Sequence, residues 1–383
     1  MSIDIEVFLD PATVGKRAAA ARAAASASRS GDGYELDVAD YVDADQYEAE
    51  VEVFRGSWHI AATSAELAKS GDYIRWDFTP RPVVVVRAKD GDLHAFYDVC
   101  AHRGGPIAPE TTGSVRSFVC PYHNWTYDLT GQLVAIPSAE HFPDLCIEDR
   151  RLSPVRVAEL GGLAWINEDP DAQDLQSWLG SVSASLERGR LEEFTLASHQ
   201  RYLVDSNWKI STEGGIDTYH IDFLHQSTAR GVLDNGGTLV AFDGPHSTAI
   251  VPLLRPELAT SYLPDAGGVH VPGNVQCWAF PTHTVSLFPY AVAVISHYPS
   301  AIDQTVVDWR VLVHREIDDP ATRAEIVENY EAVFAEDRAL SPRIQKNMES
   351  GVMQHLQLSV KEDRVHHFHT SVADAIRKLP ARR

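Results

Sequence analysis

From residue 51 to about 168 the apolar positions come in short β-branched or aromatic runs separated by turn signals. Pro82–Ala88 is such a run. Lys89-Asp90-Gly91-Asp92 follows it and leads into Leu93–Val99, and an Asp-Gly step between two strand-like runs predicts a hairpin. A second hairpin-like unit runs from Phe118–Tyr127 through Asp128-Leu129-Thr130-Gly131 to Gln132–Ile136, and Leu163–Asn167 reads as a closing strand. After Pro170 the period changes: Asp174–Arg188 reads as helix. Strand-like runs then cover Gln276–Phe280, Thr284–Phe288, Ala291–Tyr298 and Val306–His314. A long helix is predicted over Pro320–Leu340, with Ile326, Tyr330, Val333, Phe334 and Leu340 as its apolar stripe. The pattern predicts an α+β protein: an N-terminal helical segment over residues 1–50, a small all-β module over 51–168, and a larger α+β domain over 169–383.

Composition narrows the partners. The 383-residue chain is 44% hydrophobic and 23% charged, ordinary for a globular protein of two domains. Its 33 basic against 54 acidic residues leave a net charge of −21, which disfavours nucleic acid and anionic membrane as partners. No apolar run approaches the roughly 18 residues of a membrane helix. The alanine-rich stretch Ala18–Ala27 is interrupted by Arg22 and reads as a surface helix rather than a secretory signal. Four cysteines do not make a disulfide framework, and a reducing, cytoplasmic setting is expected.

Two of those cysteines change the picture. Cys100-Ala101-His102 and Cys120-Pro121-Tyr122-His123 each follow a predicted strand and are 17 residues apart. Two thiolates and two imidazoles can bind one zinc ion, or hold a [2Fe–2S] cluster with Cys₂ on one iron and His₂ on the other. Each loop supplies one residue of each kind, so each can touch both irons. Gly104, Gly105 and Pro106 adjoin the first pair and allow backbone N–H groups close to bridging sulfides, which favours the cluster.

A second constellation lies in Asn207–His225. Asp217 and His220 are three residues apart and would share a helix face. His225 is five residues beyond His220, about 140° further round an ideal helix, so both imidazoles reach one metal only if the helix ends or bends between them. Two histidines and one carboxylate form the facial set of non-haem Fe(II) oxygenases. Helical phase places Asp337 inside the apolar stripe of Pro320–Leu340 and Glu336 toward its edge, which makes Asp337 the third ligand.

Cys100-Ala101-His102-Arg103-Gly104 with Cys120-Pro121-Tyr122-His123-Asn124-Trp125 resembles the Rieske motif of ring-hydroxylating oxygenase α subunits. It lacks the extra cysteine that each loop carries in the Rieske proteins of cytochrome bc complexes. Asn207-Trp208-Lys209, Glu213, Asp217-Thr218-Tyr219-His220 and His225 resemble the same family's mononuclear iron motif, and Phe334-Ala335-Glu336-Asp337 its third-ligand helix. The chain departs from many members in having Gly214 where they have Asn.

The resemblance implies a helix-grip catalytic domain, an antiparallel sheet flanked by helices, behind the Rieske domain. It implies a [2Fe–2S] cluster, a mononuclear Fe(II), and hydroxylation, in the leading case cis-dihydroxylation, of a small aromatic substrate with O₂. Monooxygenation or demethylation would use identical ligands. It further implies a homotrimer, with or without a small β subunit, in which Asp217 bridges His220 and the neighbour's His123. No Gly-x-Gly-x-x-Gly follows a strand, so NAD(P)H electrons are expected through a separate flavin reductase, a ferredoxin, or both. Phe223, Leu224, Leu287, Phe288 and Phe334 are candidate pocket walls, and Arg230, Arg255 or Arg310 could hold a substrate carboxylate. Rival readings are a Rieske electron-transfer protein and a zinc-stabilised binding protein.

Overall fold

The computed structural model describes residues 11–27, 33–255, 257 and 273–379. The chain divides into two compact units, one formed by Arg55–Trp178 and the other by the residues up to Phe54 together with Leu179 onward.

The Arg55–Trp178 unit is built from antiparallel strands. Leu93–Tyr97, Val83–Arg87, Asp72–Trp76 and Thr112–Ser114 make a four-stranded sheet. The expected hairpin is there: Arg87 pairs with Leu93, and Gly91 takes φ +94°, which glycine adopts without a Cβ penalty. A three-stranded sheet places Leu163–Asn167 between Arg156–Leu160 and His59–Thr63, so that strand is central and buried throughout rather than closing. Phe118–Tyr127 is not one strand. Only Phe118–Val119 and Thr126–Tyr127 pair, because the residues between them turn back into a loop.

In the other unit we label the strands of the large sheet β1 (Phe194–Val204), β2 (Leu239–Asp243), β3 (His246–Pro252), β4 (Gly273–Ala279), β5 (His283–Leu287), β6 (Ala291–Ala301) and β7 (Gln304–His314). They form one antiparallel sheet in the order β1-β7-β6-β5-β4-β3-β2. The helices used below are α1 (Ser181–Arg188), α2 (Trp208–Ile216), α3 (Ile221–Leu224), α4 (Pro320–Glu349) and α5 (Asp363–Arg377). The helix expected over Asp174–Arg188 is interrupted at Gly180, which has φ +54°. There Asp243 accepts from Ser181 N–H at 2.8 Å, and a Cβ on Gly180 would lie 2.5 Å from Asp243 Oδ2. Helix α4 runs past the expected end at Leu340 and through Pro342, and Leu340 is exposed rather than part of an apolar stripe.

The residues before Phe54 belong with this unit. Strand Tyr34–Asp37 pairs with His355–Leu358. Glu50, on the helix Ala44–Arg55, is fully buried and accepts hydrogen bonds from Lys209 Nζ at 2.6 and 2.7 Å and from Trp208 Nε1 at 2.7 Å. Burial pushes the Lys209 ammonium down, and Glu50 opposes that shift. Asn207 caps α2 by accepting from Lys209 N–H, and its Nδ2 donates to Tyr41 O and Ile302 O. Helix α2 is therefore fixed at its N-terminus by an ion pair and a cap.

Replacing Glu50 by Ala leaves the buried Lys209 without a counter-charge. We expect a loss of about 3–5 kcal/mol in unfolding free energy, read as a lowered urea midpoint by tryptophan fluorescence.

Candidate functional site

The two cysteine loops in the Arg55–Trp178 unit have the same backbone plan. In the first, Gly104 N–H donates to Cys100 O and Cys100 N–H to Gly105 O; in the second, Asn124 N–H donates to Cys120 O and Cys120 N–H to Trp125 O. The fourth residue after each cysteine is left-handed, Gly104 at φ +73° and Asn124 at φ +57°. Cys100 and Cys120 are buried, whereas His102 and His123 are only partly so, with rings 4.6 Å apart. Tyr127 OH lies 3.1 Å from Cys100 Sγ, and burial with the Cys100 thiol beside it pushes the phenol well up from its ordinary value. His102 stacks on Trp125 at 4.6 Å. Two deep sulfurs and two shallower imidazoles fit a Cys₂/His₂ cluster. Two further observations agree: His102 Nδ1 is buried without a partner, and a Cβ on Gly105 would come within 3.0 Å of Cys120 Sγ.

In the other unit, His220 Nε2, His225 Nε2 and Asp337 Oδ1 converge. The two nitrogens are 3.0 Å apart, and the carboxylate oxygen lies 3.5 Å from the first and 3.3 Å from the second. Two ligands at right angles, each about 2.1 Å from a first-row ion, lie about 3 Å apart, so the triangle fits one metal bound on one face. Helix α2 ends at Ile216, and Asp217 is extended at φ −70°, ψ 135°. Asp217 and His220 thus do not share a helix face; a turn brings them together. Asp217 accepts from Tyr219 N–H at 2.7 Å, from His220 N–H at 3.2 Å, and from His220 Nδ1 at 2.8 Å. His220 then caps α3, a single turn that ends at His225. This break lets both imidazoles face one point.

The electrostatics suit a cation. Burial disfavours the His220 imidazolium, but hydrogen bonds to Asp217 and Asp337 outweigh it and raise the group to about 9. Burial likewise works against the Asp337 carboxylate, yet the two histidines hold it below its ordinary range. Among the described residues, these three form the one group of His, Cys or acidic side chains placed to share an ion.

Glu336 was read as an edge residue. It reaches His225 Nδ1 at 2.7 Å and is itself held by Thr228 Oγ1 at 2.7 Å and Ser227 Oγ at 3.0 Å. Each histidine therefore donates its other ring nitrogen to a carboxylate, the usual way of fixing a ligand tautomer. The signal available in sequence was only that Glu336 adjoins Asp337.

The pocket candidates separate. Phe288 packs against a cluster containing Ile221, next to His220. Leu287 points to the opposite face of the sheet, since side chains alternate along β5, and it meets Gly189 at the end of α1. Phe334 stacks on Trp309 at 4.4 Å within a core cluster. Phe223 is 61% exposed and Leu224 half-buried. Arg230 and Arg255 are exposed, and Arg310 is buried against Asp308.

Each unit thus carries one constellation suited to a metal centre, a Cys₂/His₂ pair of loops and a His₂/Asp triangle, and the comparisons point the same way. Residues 57–149 match the Rieske [2Fe-2S] domain, and residues 191–378 match the ring hydroxylating alpha subunit (catalytic domain). The chain belongs to the Rieske non-haem iron ring-hydroxylating oxygenase α-subunit family, whose cofactors are a [2Fe–2S] cluster and a mononuclear iron. It is 37% identical over 189 residues to the chlorobenzene dioxygenase subunit alpha of Cupriavidus sp. (strain PS12), covering 47% of this chain and 42% of that one. It is 31% identical over 185 residues to the glycine betaine monooxygenase oxygenase subunit of Pseudomonas aeruginosa, covering 48% and 42%. The matches span about half the length of the curated relatives or less.

Among solved structures, the quaternary ammonium Rieske monooxygenase CntA superposes with a TM-score of 0.80 at 22% identity, over 90% of this chain and 96% of that one. Naphthalene 1,2-dioxygenase from Rhodococcus sp. gives 0.75 at 19% identity, over 97% and 100%. These likenesses establish the fold: a Rieske domain and a catalytic domain of helices and antiparallel sheet. Among the described residues, no helix is long and apolar enough to cross a membrane.

Two substitutions separate the centres. Gly105→Ala places a methyl against Cys120 Sγ and is expected to lower the visible absorbance of the cluster per chain. Glu336→Ala frees the His225 ring and is expected to weaken Fe(II) affinity about 10–100-fold, measured by iron titration, with the cluster spectrum unchanged.

Proposed function

We propose that the chain is a terminal oxygenase component that hydroxylates a small organic substrate with O₂ and electrons relayed from NAD(P)H. The observation that carries this reading is the convergence of His220, His225 and Asp337 within 4.8 Å of one another in a chain that also has a Rieske domain. Cys100, His102, Cys120 and His123 would hold the cluster, and the other three residues the mononuclear iron. When bound, the cluster supplies electrons singly and the mononuclear iron is the centre where O₂ is activated.

The protein's own part is orientation. Asp217 and Glu336 each take the Nδ1 proton of one ligand histidine, so both Nε2 atoms are left to face the metal. In the homotrimer that we propose, with or without a small β subunit, Asp217 also reaches His123 of the partner subunit and so joins the two centres. Its side chain keeps 14% exposure, which leaves it accessible for such a contact. A ferredoxin, a flavin reductase, or both would deliver the electrons.

The substrate reading is an aromatic ring, cis-dihydroxylated. It is supported by the chlorobenzene and benzene dioxygenase relatives, at 37% and 32% identity. Monooxygenation with the same ligands is the second reading, favoured by the glycine betaine monooxygenase relative at 31% identity.

The test is metal content with product analysis. The purified chain should contain about three Fe, two in the cluster and one mononuclear, with a Rieske EPR signal when reduced. His225→Ala should remove one Fe per chain and abolish turnover. Two Fe per chain with undiminished turnover would overturn the assignment. Labelled O₂ distinguishes the two readings: two labelled atoms in the product mark dioxygenation, one marks monooxygenation.

A further inference from the structure

Strand alternation and register put Gln276, Thr284, Ser286, Ile295 and His297 on one face of the large sheet: Gln276 pairs with Ser286, and Thr284 with Ile295. That face meets α2, since a Cβ on Gly215 would lie 3.3 Å from Thr284 Oγ1 and 3.9 Å from His297 Nε2. Strands β4 and β5 are interior to the sheet, and their neighbouring residues Val275, Cys277, Val285 and Leu287 are buried. Gln276 and Ser286 are nevertheless partly exposed.

Neighbours fix how the two polar groups are turned. Arg364, on α5, donates from Nη1 to Gln276 Oε1 at 2.8 Å, and a guanidinium has only donors to offer. The Gln276 amide must therefore direct its Nε2 donors elsewhere. Asn274 Nδ2 donates to Ser286 Oγ at 2.8 Å and to Leu287 O at 3.3 Å. A carbonyl can only accept, so the Asn274 assignment holds and the Ser286 O–H is left to donate. Among the described residues neither the Gln276 Nε2 nor the Ser286 hydroxyl hydrogen has an acceptor. Two donors thus stand side by side on a partly exposed stretch of the sheet.

Arg364 adds charge. It is 3% exposed, and its other contacts are also neutral: Nε donates to Ser247 Oγ at 3.3 Å and Nη1 to Ile216 O at 3.1 Å, while Nη2 has no partner. No carboxylate accepts a hydrogen bond from this buried guanidinium; Asp363 and Asp217 act on it only through space, and an anion above Gln276 would add to their compensation. Ile216 immediately precedes Asp217, so the pair stands one contact from the turn that holds His220. Ile221, Val251, Leu253 and Phe288 form an apolar wall nearby.

We infer that Gln276 and Ser286 are a substrate-binding donor pair, backed by Arg364, that receives a carboxylate, with the apolar remainder against the Phe288 cluster. This rests on the oxygenase reading and names the substrate class within it: an organic acid rather than a plain hydrocarbon or a cation without a carboxylate. A charge-assisted hydrogen bond to each donor sets the size of the effect.

The test uses the iron-loaded chain without O₂, titrated calorimetrically with matched probes: benzoate against toluene, and glycine betaine against tetramethylammonium. The carboxylate member of at least one pair should bind about tenfold tighter or more. Ser286→Ala removes one donor. Gln276→Glu keeps the shape and pairs with Arg364, so the fold is retained while the donor becomes an anion. Both variants should erase the carboxylate preference, with the iron content and the Rieske EPR signal unchanged. Equal binding within both pairs, no binding by any probe, or a preference that survives both substitutions overturns the inference. Absence of the third iron or of the Rieske signal in the unsubstituted chain would instead overturn the oxygenase reading.

Discussion

The end of helix α2 at Ile216 is the constraint on which the mononuclear site depends. Had the helix continued, His220 and His225 would point about 140° apart and could not meet one ion. Asp217 stops it by a local competition: its carboxylate takes the Tyr219 and His220 N–H groups, which offers the backbone an alternative to the helix. The same carboxylate then takes the His220 ring proton. One side chain therefore ends the helix, starts the next turn and sets a ligand tautomer. Arg364 completes the terminus by donating to Ile216 O, a carbonyl near the helix end.

A break at one end is useful only if the other end is held. At the N-terminus of α2, Glu50 binds both Lys209 and Trp208, and Asn207 joins the helix to Tyr41 and Ile302. Farther along, Tyr41 OH and His369 Nε2 meet Glu213 Oε1 at 2.7 Å each. These polar groups are buried or nearly so, where a lost partner costs most, and their mutual satisfaction makes α2 a rigid arm. Rigidity matters because ligand geometry tolerates errors of only a fraction of an ångström.

What could be read from sequence follows from which interactions are local. The cysteine loops were legible because a [2Fe–2S] site needs fixed residue types at short spacing, and the Gly91 turn because its backbone demands φ above zero. The His pair was legible as chemistry, as was the need for a helix break, although the turn made by Asp217 was not. Helical phase pointed to Asp337, which does sit beside both histidines, but the same reasoning set Glu336 aside. A glutamate at a stripe edge has three rotatable bonds and can reach back over the face, which phase alone does not capture. Leu287 failed for a related reason: one residue along a strand reverses the face, and the register was not known. The interruption at Gly180 depends on Asp243, 63 positions away, and no local pattern announces it.

The relatives combine one chemistry with different substrates, and the structure offers a physical basis for that. The candidate ligands and their carboxylate partners sit on the α2–α3 turn and on α4, where each position is tied to at least one other. The central sheet face opposite α2 carries side chains that no metal constrains. A change there alters what is held above the sheet without disturbing the ligand triangle, because strand alternation delivers every second residue to that face and hides the next. Selectivity can then drift among hydrocarbons, acids and betaines while His220, His225 and Asp337 stay as they are. Gln276 and Ser286 lie on that face, and Arg364 links the first of them directly to the helix end on which the candidate metal site depends.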